Sequence, residues 1–225
     1  MALPDFSLEK DLWKREQFFV AGVDEVGRGC LSGPVVAGVV VWPRMSGKDI
    51  NRLGINDSKK LTPKQREQLS VEIKKRCLYW SIGEASVTDI NSLGIVRSTQ
   101  KAMRRAVGNI RNMINKDRSN SENSNPNNIY LLLDAFYLKH MSGVGIKNQN
   151  AIIKGDCKSI SIASASIVAK VYRDEIMRKL SKRYPEYGWE RNMGYGTKEH
   201  RQALLKIGPC KLHRRLFISK IISSG

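Results

Sequence analysis

Four acidic residues end or directly follow segments whose apolar composition is typical of buried strands. They are Asp24 and Glu25 in VAGVDEVG, Asp134 in LLLDAF, and Asp156 in IIKGDCKS. A buried carboxylate is costly unless it pairs with a cation. Any one of these acids could pair with Lys or Arg or cap a helix, as Asp156 could for the segment after it. Together, carboxylates converging from separate strands favour a Mg²⁺-type site, which takes oxygen ligands and keeps waters for substrate phosphates.

Asp24 and Glu25 are neighbours, which creates a geometric difficulty for a shared site. Consecutive strand residues point to opposite faces of a sheet, so a regular strand cannot aim both side chains at one ion. The glycines at 27 and 29 predict that the strand ends or bulges here. Glu25 would then reach over the end of the strand or act through its backbone carbonyl.

The charge of the chain predicts a polyanionic partner. Its 225 residues include 39 Lys and Arg against 21 Asp and Glu, a formal net charge of +18. Half of this excess lies in residues 178–220. Phosphate neutralisation with counterion release dominates nucleic-acid affinity, so nucleic acid is the expected partner. Charge alone also allows a membrane surface or a ribosome.

Composition excludes other classes of protein. With 41% hydrophobic residues and seven prolines, the chain can bury a core. No window approaches the roughly 18 apolar residues of a membrane helix, and the start is too acidic and interrupted for a signal peptide. We therefore expect a soluble, cytoplasmic protein with reduced thiols. Cys210 and His213 are the single hint of a zinc site, and such a lone pair is more often structural.

The spacing of apolar residues predicts a mixed sheet with helices on its faces. Strands are expected at the start of FVAGVDEVGRG and in PVVAGVVVW, LYWSIGEASV, IYLLLDAF and NAIIKGD. The first two should form a hairpin. Helices are expected over 8–18, from the N-cap Thr62, over 87–114 as one or two helices, and from Ser159 to the residues before Pro185. The Asn-rich residues 115–128 are expected to form a surface loop.

Several of these segments together resemble the bacterial ribonuclease HII family. They are GVDEVGRG, DSKKLT, LLLDAF, GDCKSISIASASIVAKVYRDEIM, YPEYGWERNMGYGTKEH and GPCKLHRRLF, in the family's order over roughly residues 18–217. The resemblance implies an α/β, ribonuclease H-like fold: a five-stranded mixed sheet flanked by helices. It also implies a single catalytic domain over 1–225, in which about 185–225 forms a basic C-terminal helical extension.

The resemblance further implies an activity. This is endonucleolytic hydrolysis of the RNA strand of RNA–DNA hybrids, and cleavage 5′ to ribonucleotides embedded in duplex DNA, leaving 3′-hydroxyl and 5′-phosphate ends. The implied cofactors are two divalent cations, Mg²⁺ or Mn²⁺. Four carboxylates suffice to anchor such a pair, which can activate water and hold the leaving oxygen. We expect a monomer, no membrane partner, and a basic C-terminal stretch along the duplex, with phosphate contacts from Arg214 and Arg215.

Residue by residue, the resemblance implies that the four acids bind the metal ions. Gly27, Arg28 and Gly29, hereafter the GRG turn, would grip the 2′-hydroxyl nucleotide by their backbone. The resemblance places Tyr195 beneath the sugar at the DNA–RNA junction, and basic residues near the nucleic-acid backbone at Lys59, Lys60 and Lys170. From the residues alone, the GRG turn could equally be a tight turn between strands, and Tyr195 a packed loop tyrosine.

The sequence departs from the family at two positions, and it also allows other functions. Ser164 and Leu216 depart from the family's usual residues, and both departures concern packing rather than the acids. Ribonuclease HIII is disfavoured because few residues precede the first strand and the last acid is Asp. A non-catalytic nucleic-acid or ribosome-binding protein would need the charge alone. A DNA-only nuclease or recombinase would share the fold and metal site. The three histidines are expected to be structural or solvent-facing.

Overall fold

A computed structural model describes residues 3–15, 19–44, 53–118, 129–141 and 143–223. The first elements are α1 (Ser7–Arg15), β1 (Phe19–Val26), β2 (Val35–Val41), α2 (Pro63–Arg76), β3 (Tyr79–Ala85) and α3 (Val87–Arg118). The next are β4 (Ile129–Asp134), β5 (Gln149–Ile152) and α4 (Ile160–Ser181). Three short helices follow: α5 (Trp189–Asn192), α6 (Lys198–Ile207) and α7 (Arg215–Ile222). The helical C-terminal part was expected.

The five strands form one mixed sheet in the order β3-β2-β1-β4-β5, as predicted. Strand β2 pairs antiparallel with both β1 and β3, whereas β4 pairs parallel with both β1 and β5. Strands β1, β3, β4 and β5 therefore all end at the same side of the sheet, where β2 begins. We call this side the carboxyl edge. Because Asp134 ends β4 and Asp24 lies near the end of β1, the topology brings both acids to this edge.

Alternation along the strands divides the core between the two faces of the sheet. Val39 and Leu131 pack in the core under α3, whereas Val40 and Leu132 pack in the core under α4. Helix α4 packs closely against the sheet. A Cβ at Gly22 would lie only 2.0 Å from the backbone of Ser161, so no larger residue fits at this position. Glycine in the strand and small residues in the helix therefore set this close helix–sheet contact.

Most predicted elements are confirmed, with differences at their ends. Thr62 caps α2 in a full capping box with Gln65. Helix α3 is interrupted at Gly94, whose φ is 76° and ψ is 164°, so one continuous element contains two helices. Residues 115–118 belong to α3 rather than to a loop, because the helix continues beyond its last apolar residue. The rest of the predicted loop, 119–128, and residues 16–18 of the first helix lie outside the described residues.

None of the described helices is both long enough and apolar enough to span a membrane. The C-terminal helices instead pack around their own apolar cluster. Trp189, Tyr187 and Leu204 form this cluster with Met177 of α4 and Ile218 of α7. The C-terminal part is thus anchored to α4, the helix that also covers the sheet beside Asp24.

Candidate functional site

Strand β1 carries its two acids in a regular register. Asp24 lies opposite Gly38 and Glu25 opposite Ala37, so β1 has no bulge at the acids. The strand ends at Val26, directly before Gly27, which confirms the first of the two predicted alternatives. Pairing of β1 with β4 ends at Val23, one residue before Asp24. The register between the two strands extends no further, and Asp24 and Glu25 of β1 line one cavity with Asp134 at the end of β4. Side chains from both faces of β1 therefore reach the same cavity. Asp24 and Glu25 can share one site although they are consecutive residues of a strand.

This cavity, of about 220 Å³, lies at the carboxyl edge. Most of the predicted site residues line it: Asp24, Glu25, Gly27, Arg28, Lys59, Asp134, Lys170 and Tyr195. Two serines that the sequence analysis did not single out, Ser58 and Ser166, also line it. Gly29 and Lys60 are exposed and lie outside its lining. The candidate site therefore brings together three of the four acids.

The fourth acid, Asp156, lies beside the cavity. It belongs to a 3₁₀ turn, Gly155–Cys157, directly after β5. The N–H of Gly155 donates to Asp134 Oδ1 at 2.8 Å, and Asp156 Oδ2 lies 3.5 Å from Lys59 Nζ. Asp156 does not cap α4, because Ser159 is the N-cap and accepts a hydrogen bond from the N–H of Ile162 at 3.1 Å. The helix-cap alternative for Asp156 is therefore wrong.

Burial dominates the electrostatics of the acids that line the cavity. It raises the pKa of Asp24 well above its usual value, and the nearby carboxylates of Glu25 and Asp134 raise it further, while Ser166 acts in the opposite direction. Burial also raises the pKa of Glu25, although Arg28 opposes this. The pKa of Asp134 is raised by burial and then by Asp156, against the Gly155 N–H. Burial therefore disfavours the ionised form of all three acids in the protein alone, and repulsion between carboxylates adds to it at Asp24 and Asp134.

These residues fit a divalent cation. Glu25 Oε2 is buried and has no hydrogen-bond partner in the described part of the chain, although a buried carboxylate oxygen normally has one. A hard cation would satisfy this oxygen and offset the mutual repulsion of the acids. A second group of candidate ligands includes Asp156. The ligand atoms of Asp57, Asp156 and Cys157 all lie within 4.8 Å of one another.

The predicted substrate-binding cations are held by acids. Arg28 Nη1 lies 3.0 Å from Glu25 Oε1, and Lys170 Nζ lies 2.7 Å from Asp174 Oδ1. The guanidinium of Arg28 also lies 5.2 Å from the ring centroid of Phe136. These contacts fix where the charges point, so the cations are oriented before any ligand binds.

Tyr195 presents its ring at the rim of the cavity and is 39% exposed. Lys170 and Arg173 lie 5.6 Å and 5.8 Å from the ring centroid. Burial of the hydroxyl raises the pKa of Tyr195 to about 12, so the phenol stays protonated at neutral pH. Tyr195 therefore offers a flat apolar surface and a neutral hydroxyl.

Two buried arginines hold the segment that follows β1, and the sequence analysis did not identify the first of them, Arg173. Arg173 is fully buried and donates to the carbonyls of Pro34, Met193 and Ser32 at 3.1, 2.8 and 3.2 Å. At Gly27, where φ is +90°, a Cβ would lie 2.1 Å from Arg173 Nε. The GRG turn therefore needs glycine at its first position both for its backbone conformation and for space.

Arg214, the second buried arginine, corrects one expectation from the sequence. Its guanidinium is fully buried and donates to the carbonyls of Arg28 (2.8 Å), Gly33 (2.9 Å) and Pro34 (3.1 Å). Burial lowers its pKa to about 10. Arg214 thus cannot contact a phosphate, whereas Arg215 is exposed. The two adjacent arginines have different roles.

We expect Arg214→Met to lower the free energy of unfolding by about 2–4 kcal/mol, because several buried carbonyls would lose their donors. Arg215→Met is the matched control and should change it by less than about 0.5 kcal/mol, as is usual for an exposed side chain. Urea unfolding of both variants measures this. Equal effects would show that the Arg214 contacts do not stabilise the fold.

Two histidines connect the C-terminal segment to Tyr195. The N–H of Cys210 donates to His213 Nδ1 at 3.0 Å, and His213 Nε2 lies 3.0 Å from His200 Nε2. His200 Nδ1 lies 2.9 Å from the carbonyl oxygen of Tyr195. Burial, reinforced by His200, lowers the pKa of His213 to about 4. Among the residues described, Cys210 and His213 belong to no cluster of three metal-ligating groups.

Solved structures of ribonucleases H have folds similar to that of this chain. Bst-RNase HIII in complex with Mn²⁺ has a TM-score of 0.72 at 16% identity, over 95% of this chain and 72% of that chain. The PCNA:RNase HII complex from Archaeoglobus fulgidus has a TM-score of 0.67 at 24% identity, over 91% of this chain and 95% of that chain. At these identities the likeness shows the fold alone, an α/β ribonuclease H fold.

Sequence comparison is more specific. The family model for Ribonuclease HII matches residues 21–220. A Ribonuclease HII from Caldanaerobacter subterraneus subsp. tengcongensis is 46% identical over 214 residues, which cover 95% of this chain and 80% of that protein. One from Chlamydia trachomatis serovar D is 47% identical over 199 residues, which cover 88% of this chain and 81% of that protein. The chain belongs to the ribonuclease HII family, whose members are metal-dependent hydrolases with ribonuclease H activity.

Proposed function

We propose that this protein hydrolyses the RNA strand of RNA–DNA hybrids and cuts 5′ to ribonucleotides embedded in duplex DNA. One observation carries the proposal: the carboxylates of Asp24, Glu25 and Asp134 line a single cavity together with Tyr195 and with Gly27 and Arg28 of the GRG turn. Groups suited to phosphodiester hydrolysis thus lie next to groups suited to reading a ribose. A protein that only binds nucleic acid would have no use for buried, mutually repelling acids.

Asp24, Glu25 and Asp134, with Asp156 beside them, would hold two divalent cations, Mg²⁺ or Mn²⁺. Bound there, such ions supply an activated water and stabilise the leaving 3′-oxygen. One structural relative, Bst-RNase HIII, was solved in complex with Mn²⁺. Neither His200 nor His213 is placed to act as a base there, because both are buried in the C-terminal segment and hydrogen-bonded to each other. Water activated by the metal ions needs no histidine.

The GRG turn and Tyr195 would supply recognition of the ribose. A 2′-hydroxyl both donates and accepts hydrogen bonds, so backbone groups can distinguish RNA from DNA without reading the base. Arg173 and Arg214 hold the carbonyls of the segment after β1 from inside the protein, which fixes the backbone of the turn. The Tyr195 ring would pack against the sugar, and Lys59 and Lys170 would lie along the backbone.

A comparison of three substrates tests the proposal. A duplex with one ribonucleotide and an RNA–DNA hybrid should be cut, with 3′-hydroxyl and 5′-phosphate ends, whereas an all-DNA duplex should stay intact. Product ends are read on sequencing gels with Mg²⁺ and then Mn²⁺. Equal cleavage of the all-DNA duplex would favour a DNA nuclease instead. Binding of all three without cleavage in either metal would favour a non-catalytic binding protein.

A further inference from the structure

A second, larger cavity of about 570 Å³ lies between the start of α3 and the segment before α7. Two exposed cations line it, Lys211 and Arg215, together with the hydroxyl-bearing side chains of Thr88 and Ser92. No acidic side chain lines it. The cavity is therefore positively charged and can donate several hydrogen bonds, which are the properties that a phosphate requires.

The charges of this cavity are not neutralised by the protein. Neither Lys211 nor Arg215 has a carboxylate within ion-pair distance across the ranges that the structure describes. Asp89 follows Thr88 of the lining in sequence, but its Oδ1 lies 2.6 Å from Lys101 Nζ and is therefore paired with that lysine. In contrast, Arg28 and Lys170 of the candidate active site are both paired with acids. An anion bound here would contact two cations that have no carboxylate partner in the described part of the chain.

The cavity lies at the same edge of the sheet as the acids. Helix α3 begins directly after Ala85, the last residue of β3, which pairs with Val35 at the start of β2. Because neighbouring strands are about 4.8 Å apart, the end of β3 lies about 10 Å from the end of β1. Arg214, the neighbour of Arg215, donates to the carbonyl of Arg28 in the GRG turn. The chain that lines the cavity is thus connected to the GRG turn through Arg214, whereas no acid of the candidate active site lines it.

The lining is also preformed. The N–H of Arg215 donates to Asn91 Oδ1 at 2.9 Å, which ties the start of α7 to α3. His213, at the back of the cavity, is buried and hydrogen-bonded to Cys210 and His200. Little backbone ordering is thus needed when a ligand binds, and a preformed site spends less of its interaction energy on ordering.

We propose that this cavity binds one backbone phosphate of the nucleic-acid duplex, away from the phosphate that is cleaved. The proposal rests on the proposed function, because the duplex lies across the carboxyl edge. Arg215 supplies a planar fork and Lys211 a point charge. Such a contact carries no base information but fixes the register of the duplex relative to the acids.

The test is the double substitution Lys211→Gln and Arg215→Gln, compared with the wild type on the single-ribonucleotide duplex. The slope of log K against log[salt] should flatten by about one unit, because the contact with one phosphate is lost. KM should rise about tenfold at low salt, whereas kcat at saturating duplex should stay unchanged, because the acids are not altered. Lys211→Gln with Arg215→Lys should restore part of the slope, since the charge at 215 is retained.

The matched control removes two exposed cations at the opposite edge of the sheet, Lys75 and Arg76 at the end of α2. Lys75→Gln with Arg76→Gln lowers the net charge equally but should leave the slope unchanged. The proposal is overturned if both double variants flatten the slope alike, or if the cavity variant lowers kcat with KM unchanged. Should the wild type itself fail to cut this duplex, the proposed function would fail instead, and the two failures are therefore distinguishable.

A phosphate scan then locates the contact. Duplexes in which single phosphates are replaced by uncharged methylphosphonates should show one position, outside the cut site, where wild-type affinity falls. The Lys211→Gln, Arg215→Gln variant should be insensitive to replacement at that position, because contacts that form one pair are non-additive. Additive losses at every position would contradict a phosphate bound in this cavity.

Discussion

Asp24→Asn and Asp134→Asn are each expected to lower kcat by about three orders of magnitude, equivalent to ~4 kcal/mol of transition-state stabilisation. Both substitutions keep the size of the side chain and remove one negative ligand from the cavity. The duplex should still bind, because the cations proposed to contact its backbone are unchanged. Single-turnover cleavage of the single-ribonucleotide duplex in Mg²⁺ and in Mn²⁺ measures the effect.

The same variants should not lose stability without metal, and Asp24→Asn should gain it. The pKa of Asp24 is raised in the folded protein, so its ionised form, which prevails at pH values above that pKa, destabilises the fold. Asparagine removes that cost. Added Mg²⁺ should raise the melting temperature of the wild type more than that of the variant, because ligand binding stabilises the folded state. A variant that unfolds at lower temperature would point to a structural role for Asp24.

Asp11 provides the matched control, since it is an exposed acid on α1. Asp11→Asn should leave cleavage and its metal dependence unchanged. Asp156→Asn should have a smaller effect than the other acids, because Asp156 lies outside the lining of the cavity and is paired with Lys59. Near wild-type turnover of Asp24→Asn or Asp134→Asn would remove these acids from the proposed site.

Local sequence patterns were sufficient to predict the elements that position the acids. The apolar run IYLLLDAF predicts a buried strand, and the structure has β4 there, ending at Asp134. Thr62 and Gln65 form the capping box that begins α2. Such features depend on neighbours in the chain, so periodicity and capping rules can identify them.

Contacts between distant segments could not be predicted in this way. Arg173 and Arg214 look like surface cations in the sequence, yet both are buried, because carbonyls from residues 28–34 and from Met193 surround them. Only the folded chain brings those carbonyls together. The same holds for the common cavity of Asp24 and Glu25, which depends on where the pairing of β1 with β4 ends. The glycines at 27 and 29 correctly predicted that β1 ends here, but they could not show which strand ends would line the cavity with it.

The second large effect is expected at Tyr195. Tyr195→Ala should reduce cleavage at a DNA–RNA junction by one to two orders of magnitude, as when a positioning contact of roughly 1.4–3 kcal/mol is lost. The ring lies at the rim of the cavity and is partly exposed, so a sugar can pack against it. Tyr195→Phe should be milder, because the ring remains. The hydroxyl, whose pKa is about 12, is not expected to act as a base at neutral pH.

Metal titration separates this role from that of the acids. Tyr195→Ala should reach half of its own maximal rate at the wild-type Mg²⁺ concentration, since no carboxylate has changed, whereas Asp134→Asn should shift that midpoint upwards. Urea unfolding of Tyr195→Ala checks that the contacts of the ring with Lys170 and Arg173 are not needed for folding. If Tyr195→Ala cuts the single-ribonucleotide duplex as fast as the wild type, Tyr195 is a packed loop residue, and ribose recognition must come from the GRG turn alone.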